Sequence, residues 1–264
     1  MDNPSRILRE LGVQRASAGH QHERCVGRDR GHRRFFARGS VGVGDGTTPR
    51  FGHLPYVMGD GTGVHVSEVD YIIPGFDTPM AELPKAPASE VDKAVARLIA
   101  AEVEDGSCLQ IGIGGMPNAV CSLLAESPVQ DLGIHTEMLT DGIIDLYKAG
   151  LLTGARKQLD PGKMVYSFGL GSRPLYDALH ENPDFHCCPV DYTNLPQMIM
   201  QNHNMVAINN TTQIDLTGQA ASESDGLRHI SGTGGQLQFL RGAYASPGGR
   251  SFLCLSSTYD KKGD

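Results

Sequence analysis

Apolar and polar positions change period along this chain, and each change marks an element. Residues 63–73, GVHVSEVDYII, alternate β-branched and polar side chains before a Pro-Gly break, the pattern of a half-buried strand. Residues 76–88 form a proline-rich connection ending in LPKAPA, which reads as a linker. Ser89 then opens a helix: Ser89-Glu90-Val91-Asp92 has the form of a capping box, and Val91, Ala94, Leu98 and Ala101 recur at helical spacing.

From there strand and helix alternate. Residues 108–113 read as a buried strand, Gly114 and Gly115 as a turn, and residues 117–126 as a helix with Pro117 in its first turn. Residues 133–136 form the next strand and 140–149 the next helix, closed by Gly150. A strand over 164–168, a helix over 174–181, a strand over 185–190 and a helix over 195–201 follow. After Met205 come β-rich runs at 206–212 and 214–218, a second glycine turn feeding a helix within 231–246, and a strand over 251–257. The pattern predicts an α/β fold: an open, mostly parallel sheet with helices on both faces, crossed right-handedly. The last strand has no helix after it to cover it, so at least one further β-α unit is expected to be missing.

The start of the chain is different. Residues 1–52 are rich in arginine, histidine and glycine, lack lysine, and show little apolar periodicity, so they are poorly suited to build a core. The basic run 24–38 reads either as a polyanion-binding arm or, with more weight, as a solvated tail. A net charge of -7 for the 264 residues argues against a nucleic-acid binder. The six cysteines show no CxxC spacing, which points to reduced thiols and a cytoplasmic protein. No apolar run approaches the roughly 20 residues that span a bilayer, and the first residues lack a signal peptide's apolar centre.

Two glycine turns and one acid are the candidates for chemistry. Gly112, Gly114 and Gly115 lie between strand and helix, where unpaired amides and the helix dipole suit a phosphate, a carboxylate or a thioester oxyanion; a packing turn accounts for them equally well. The third glycine of the dinucleotide fingerprint is absent, which weakens a nicotinamide oxidoreductase reading. Glu137 stands at the mouth of the next strand. It is either an acid complementing a helix dipole or a cleft carboxylate sharing a face with His135. His135 reads mainly as a hydrogen-bonded wall residue, with a role orienting Glu137 as the lesser option. Asp141 and Asp145 read as ordinary helix acids, and Glu223 as a rival nucleophile in a loop. The turn Gly232-Thr233-Gly234-Gly235-Gln236 offers further amides. Cys187 and Cys188 read as core, and no HxxxH, HExxH or CxxC motif supports a metal.

Taken together, the motifs VHVSEVDYI, LQIGIGGMPNAV, LGIHTEMLTDGIIDL, PVDYTNLP, NNTTQIDLTGQ and SGTGGQLQFLRGAY resemble the family I coenzyme A transferases. The branch is that of acetyl-CoA hydrolases, 4-hydroxybutyrate CoA-transferases and butyryl-CoA:acetate CoA-transferases, and the resemblance runs over residues 63–264. It implies a CoA-transferase-like, NagB/RpiA-type fold of two related α/β domains with the site between them. Residues 53–88 would be the remnant of the N-terminal domain and its linker, and 89–264 the C-terminal domain, both incomplete. It implies Glu137 as nucleophile, in HTEM. Coenzyme A contacts would come from Gly112, Ile113, Gly114, Gly115, Met116, Thr212 and Gly235.

The implied reaction moves coenzyme A between a short-chain acyl-CoA and a carboxylic acid through a glutamyl-CoA thioester. Coenzyme A is substrate and covalent intermediate, with no tightly bound cofactor and no metal. An acyl-CoA hydrolase and a catalytically incomplete CoA-binding fragment are the alternatives. Expected partners are acyl-CoA, a short-chain carboxylate and a second copy of the complete chain, with neither nucleic acid nor membrane. Many relatives read GGQxDF where this chain has Gln238 in the acidic position, a departure from the family pattern.

Overall fold

In this computed structural model the described residues are 14–15, 35–38, 55–60, 62, 71–74, 81–85 and 87–256. β1 (Gln14–Arg15), β3 (Tyr71–Pro74) and β2 (Phe35–Arg38) form a small sheet, β3 pairing antiparallel with β1 and parallel with β2. Only the end of the strand expected over 63–73 falls among the described residues. The rest of that run, most of the arginine-rich segment and residues 257–264 lie outside them.

The main sheet is six-stranded and entirely parallel, in the order β11-β8-β4-β5-β6-β7. Its strands are β4 (Cys108–Ile111), β5 (Gly133–Leu139), β6 (Met164–Gly169), β7 (Phe185–Cys187), β8 (Met205–Asn210) and β11 (Arg250–Cys254). The helices are α1 (Glu90–Ala100), α2 (Gly115–Ala125), α3 (Asp141–Lys148), α4 (Arg173–Leu179), α5 (Val190–Thr193), α6 (Pro196–Ile199) and α7 (Gln236–Ala245).

Strand alternation divides the core. Leu109, Ile111, Ile134, Val206 and Ile208 face the large cluster that also holds Ile99, Val120, Leu124, Ile143 and Leu175 from α1 to α4. Cys108, Met205 and Ala207 face the other way, into a small cluster with Ile199 of α6 and Phe239 and Ala243 of α7. Helices thus cover both faces, as the alternation predicts, and the α5–α7 face is the thinner and more polar one.

Several local expectations change. The capping box is present, with Asp92 N–H donating to Ser89 Oγ at 3.1 Å and Ser89 N–H to Asp92 Oδ2 at 2.8 Å. Yet Val91 and Leu98 are 65% and 73% exposed, while Ala96 and Ile99 are buried. The helix carries two apolar stripes, and the one with the small Ala96 lies against the core. β5 runs on to Leu139 because Met138 and Leu139 continue the alternation and pair with Phe168 and Gly169 of β6. The strand expected over 185–190 stops at Cys187, and Pro189 caps the short helix α5, which the pattern does not predict; the helix expected over 195–201 is α6 alone, with Pro196 in its first turn. The strand expected over 214–218 shrinks to β9 (Gln213–Ile214) against β10 (Ala220–Ala221), because Asp215 Oδ1 accepts from the amides of Thr217 and Gln219 and turns the chain.

Candidate active site

All six strands end at one edge of the sheet, and the chain order reverses at β4. The connection from β4 leads to α2 on one face, and that from β8 leads to α7 on the other. Loops that diverge at such a switch point leave a crevice beyond the carboxyl ends of the strands. Four pieces meet this edge: the turn at 112–115, Glu137 of β5, Asn209 and Asn210 closing β8, and Gly235 before α7.

Glu137 lies within β5, not at its mouth, two residues before the strand ends. Its parity with His135 turns both toward the α5–α7 face, where His135 lies near the rings of Tyr192 and Phe239. The Gly235 amide donates to Glu137 Oε2 at 2.8 Å. Any side chain at position 235 would collide with that carboxylate and with Asn194 Nδ2, so only glycine lets the backbone come this close. Asn194 is a site residue that local patterning did not single out. Thr193 Oγ1 donates to Asn194 Oδ1 at 3.0 Å, which leaves Nδ2 as the end of the amide beside Gly235.

The two glycine turns are joined through Asn210. Its Nδ2 donates to the Ile113 carbonyl at 2.8 Å, and its own carbonyl accepts from Gln236 Nε2 at 2.7 Å, directly after Gly235. Beneath them Gln110 and Asn209 exchange two side-chain hydrogen bonds of 3.1 and 2.7 Å in the buried sheet. Gly114 caps α2 at φ 134°, a value L side chains avoid. Gly112 passes Asn209, and Gly115 packs on the Pro87 carbonyl, so packing accounts for part of this turn.

The other candidates fall out as follows. Ile113 is exposed at the edge, whereas the Met116 side chain is committed to the core, which leaves only its amide to meet a ligand. Pro117 has no amide, so Gly115 and Met116 carry the first-turn donors of α2. Thr212 is exposed, and its hydroxyl donates to the Ser222 carbonyl at 3.0 Å. Glu223 sits in the loop after β10, its carbonyl accepting from the amides of Ile230 and Ser231. Asp141 ties α3 to the start of α4 by accepting from Ser172 N and Oγ, and Asp145 pairs with Lys85 at 2.5 Å.

His135 is a wall residue. Its Nε2 donates to the Thr193 carbonyl at 2.9 Å, holding the end of α5 that presents Asn194, and its Nδ1 is buried with no partner. Burial, and then the nearby Lys157 ammonium, push its pKa down to about 4. Lys157 is itself buried, donating to the carbonyls of Ile134 and Lys163, and burial lowers its pKa. Between pH 6.5 and 4 an unfolded chain would bind a proton at His135 that the folded chain refuses, so stability falls as pH drops through that window. We expect wild type to lose about 3 kcal/mol more than His135→Gln across it in urea unfolding. Parallel pH profiles for the two proteins would contradict this.

Comparison with known proteins matches residues 171–264 to the acetyl-CoA hydrolase/transferase C-terminal domain. The butyryl-CoA:acetate CoA-transferase of Anaerostipes caccae is 51% identical over 201 residues, covering 76% of this chain and 45% of that protein. The 4-hydroxybutyrate coenzyme A transferase of Clostridium kluyveri is 44% identical over 79% of this chain and 48% of its own length. The crystal structure of RipA from Yersinia pestis superimposes with a TM-score of 0.74 at 44% identity, covering 80% of this chain and 47% of that one. The chain spans about half the length of the curated relatives it matches. Among the described residues no helix is long and apolar enough to cross a membrane.

Proposed function

The chain belongs to the acetyl-CoA hydrolase/transferase family, and from that premise we propose that it carries the nucleophile half of a CoA-transferase acting on short-chain acyl-CoA. The observation that supports this best is the 2.8 Å bond from the Gly235 amide to Glu137 Oε2. It holds one carboxylate oxygen and leaves the other to attack.

In this reading Glu137 Oε1 adds to the thioester carbonyl, and the tetrahedral oxyanion collapses with loss of CoA thiolate to an acyl-glutamyl anhydride. The amides of Gly115 and Met116, at the start of α2, supply donors for the substrate oxygen, with Gly112, Ile113 and Gly114 lining the approach. The thiolate then adds to the Glu137 carbonyl carbon, and negative charge collects on Oε2, the atom Gly235 already holds. Asn194 Nδ2 is the second donor there. The first acid departs and a glutamyl-CoA thioester remains, conserving the thioester's energy until an incoming carboxylate reverses the steps. A single preorganised donor of this kind is worth about 3–4 kcal/mol of barrier.

Thr212 is assigned to the CoA approach, and coenzyme A is both substrate and covalent intermediate. The complete protein is read as a cytoplasmic homodimer using acetate, butyrate or 4-hydroxybutyrate as acids. The activities for which its relatives are named support the choice of acids, and the five free, buried cysteines among the described residues support a reducing compartment.

Mass spectrometry of the intact chain after incubation with acetyl-CoA is the test. A covalent CoA adduct that borohydride or hydroxylamine removes is the expected result, with no adduct and no exchange into butyrate counting against the proposal. Thiol release without an acceptor acid would instead mark a hydrolase.

A further inference from the structure

We propose that Asp60, His186 and Cys188 form a binding site for a borderline-soft divalent metal ion of the zinc class. Sequence spacing offers no such motif, because one ligand lies far from the other two along the chain. The fold brings them together at the edge of the main sheet. His186 sits in the middle of β7 and Cys188 directly follows it, so strand alternation turns both side chains to one side. Asp60 arrives on the segment 55–60, which lies along β7: the Cys187 amide donates to the Met58 carbonyl at 2.8 Å, and Gly59 bridges to Cys187 in parallel. Gly59 has φ 149°, and any side chain there would collide with the Cys187 backbone. Glycine at 59 is therefore what seats Asp60 over the other two.

The ligand atoms of the three residues all lie within 4.8 Å of one another. His186 Nε2 stands 3.6 Å from Asp60 Oδ2 and is a buried nitrogen without a hydrogen-bond partner. Bonds of about 2.0–2.3 Å to a tetrahedral ion would place neighbouring ligand atoms roughly 3.3–3.8 Å apart. Asp60 is exposed and can close the difference by rotating. Imidazole, thiolate and carboxylate are together the donor set of zinc and its spectroscopic substitute cobalt(II), with the fourth position open to solvent. Burial, followed by the negative charges of Asp160 and Asp60, holds the thiol protonated against the weaker opposing effect of Lys157, so a cation must displace its proton to bind. Binding replaces the S–H bond by a metal–sulfur bond and releases the thiol proton to solvent. β6 separates this site from the strand carrying Glu137, so the ion takes no part in the proposed transfer. Its effect is to staple segment 55–60 to the sheet edge.

Titration of the reduced chain with Co2+ tests the assignment. Saturable binding at equal molar ratio is expected, with a near-ultraviolet thiolate-to-cobalt band and visible bands of a four-coordinate ion, bleached by Zn2+. Cys188→Ser should lose the thiolate band, and His186→Gln and Asp60→Asn should weaken binding. Cys187→Ser, whose side chain points the other way, should keep the band. Zn2+ should raise the melting temperature of wild type but not of Cys188→Ser. Absence of saturable binding to wild type, or a thiolate band that survives in Cys188→Ser or vanishes in Cys187→Ser, would overturn the proposal. Circular dichroism of each variant shows that it is folded before it is scored.

Discussion

Replacing Glu137 by glutamine is expected to lower acyl exchange by roughly four to six orders of magnitude, the scale on which removal of a nucleophile acts. Glutamine keeps the size of the side chain and an oxygen that can accept from the Gly235 amide, so the 2.8 Å contact and the fold around it survive. What disappears is the negatively charged oxygen that attacks the thioester. The borohydride-sensitive CoA adduct should vanish with the activity, while the melting temperature stays near that of wild type. Exchange at the wild-type rate in Glu137→Gln would remove this residue from the chemistry. Loss of activity together with loss of folding would instead identify Glu137 as structural.

Gly235→Ala should have the next largest effect. Gly235 has φ -84° and ψ 1°, values an alanine adopts without strain, so the backbone does not oppose the change. The obstacle is the collision of the new methyl with the Glu137 carboxylate and the Asn194 amide. Relief requires the carboxylate to move off the amide that is to hold its developing oxyanion. We expect the maximal exchange rate to fall by about two to three orders of magnitude. KM for acyl-CoA and the melting temperature should change little. An equal fall in affinity with an unchanged maximal rate would mean that Gly235 binds substrate and does not stabilise the transition state.

These predictions rest on a site that was only partly legible in the amino-acid sequence. Glu137 and the two glycine turns stood out because a carboxylate and glycines at strand ends are chemically distinctive and because they sit in family motifs. Asn194 did not, although it lies in one of those motifs, since an asparagine after a short helical run looks like any other cap. His135 is a wall residue, as its position in the strand suggests, but the reason is tertiary: its partner is the Thr193 carbonyl, on an element that arrives two strands later. Val91 and Leu98 of α1 show the same limit from the other side. Their spacing announced a helix, yet an equally good stripe through Ala96 and Ile99 took the core.

By itself the sequence determined the order and type of the main strands and helices from residue 89 onward, though not the short α5 and β10, because periods of two and of 3.6 residues are local properties of strand and helix that need more than one turn or pair to show. It also determined the chemistry available, since residue types set what can attack, donate or ligate. Only the tertiary structure decided which of these groups meet. The parallel order of the strands places the turn after β4, Glu137, Asn210 and Gly235 at one edge. The close approaches that glycine permits at 235 and 59 join residues far apart in the chain, one pair around Glu137 and one group at Asp60, His186 and Cys188. Hydrophobic burial sets that packing globally, and no local spacing encodes it.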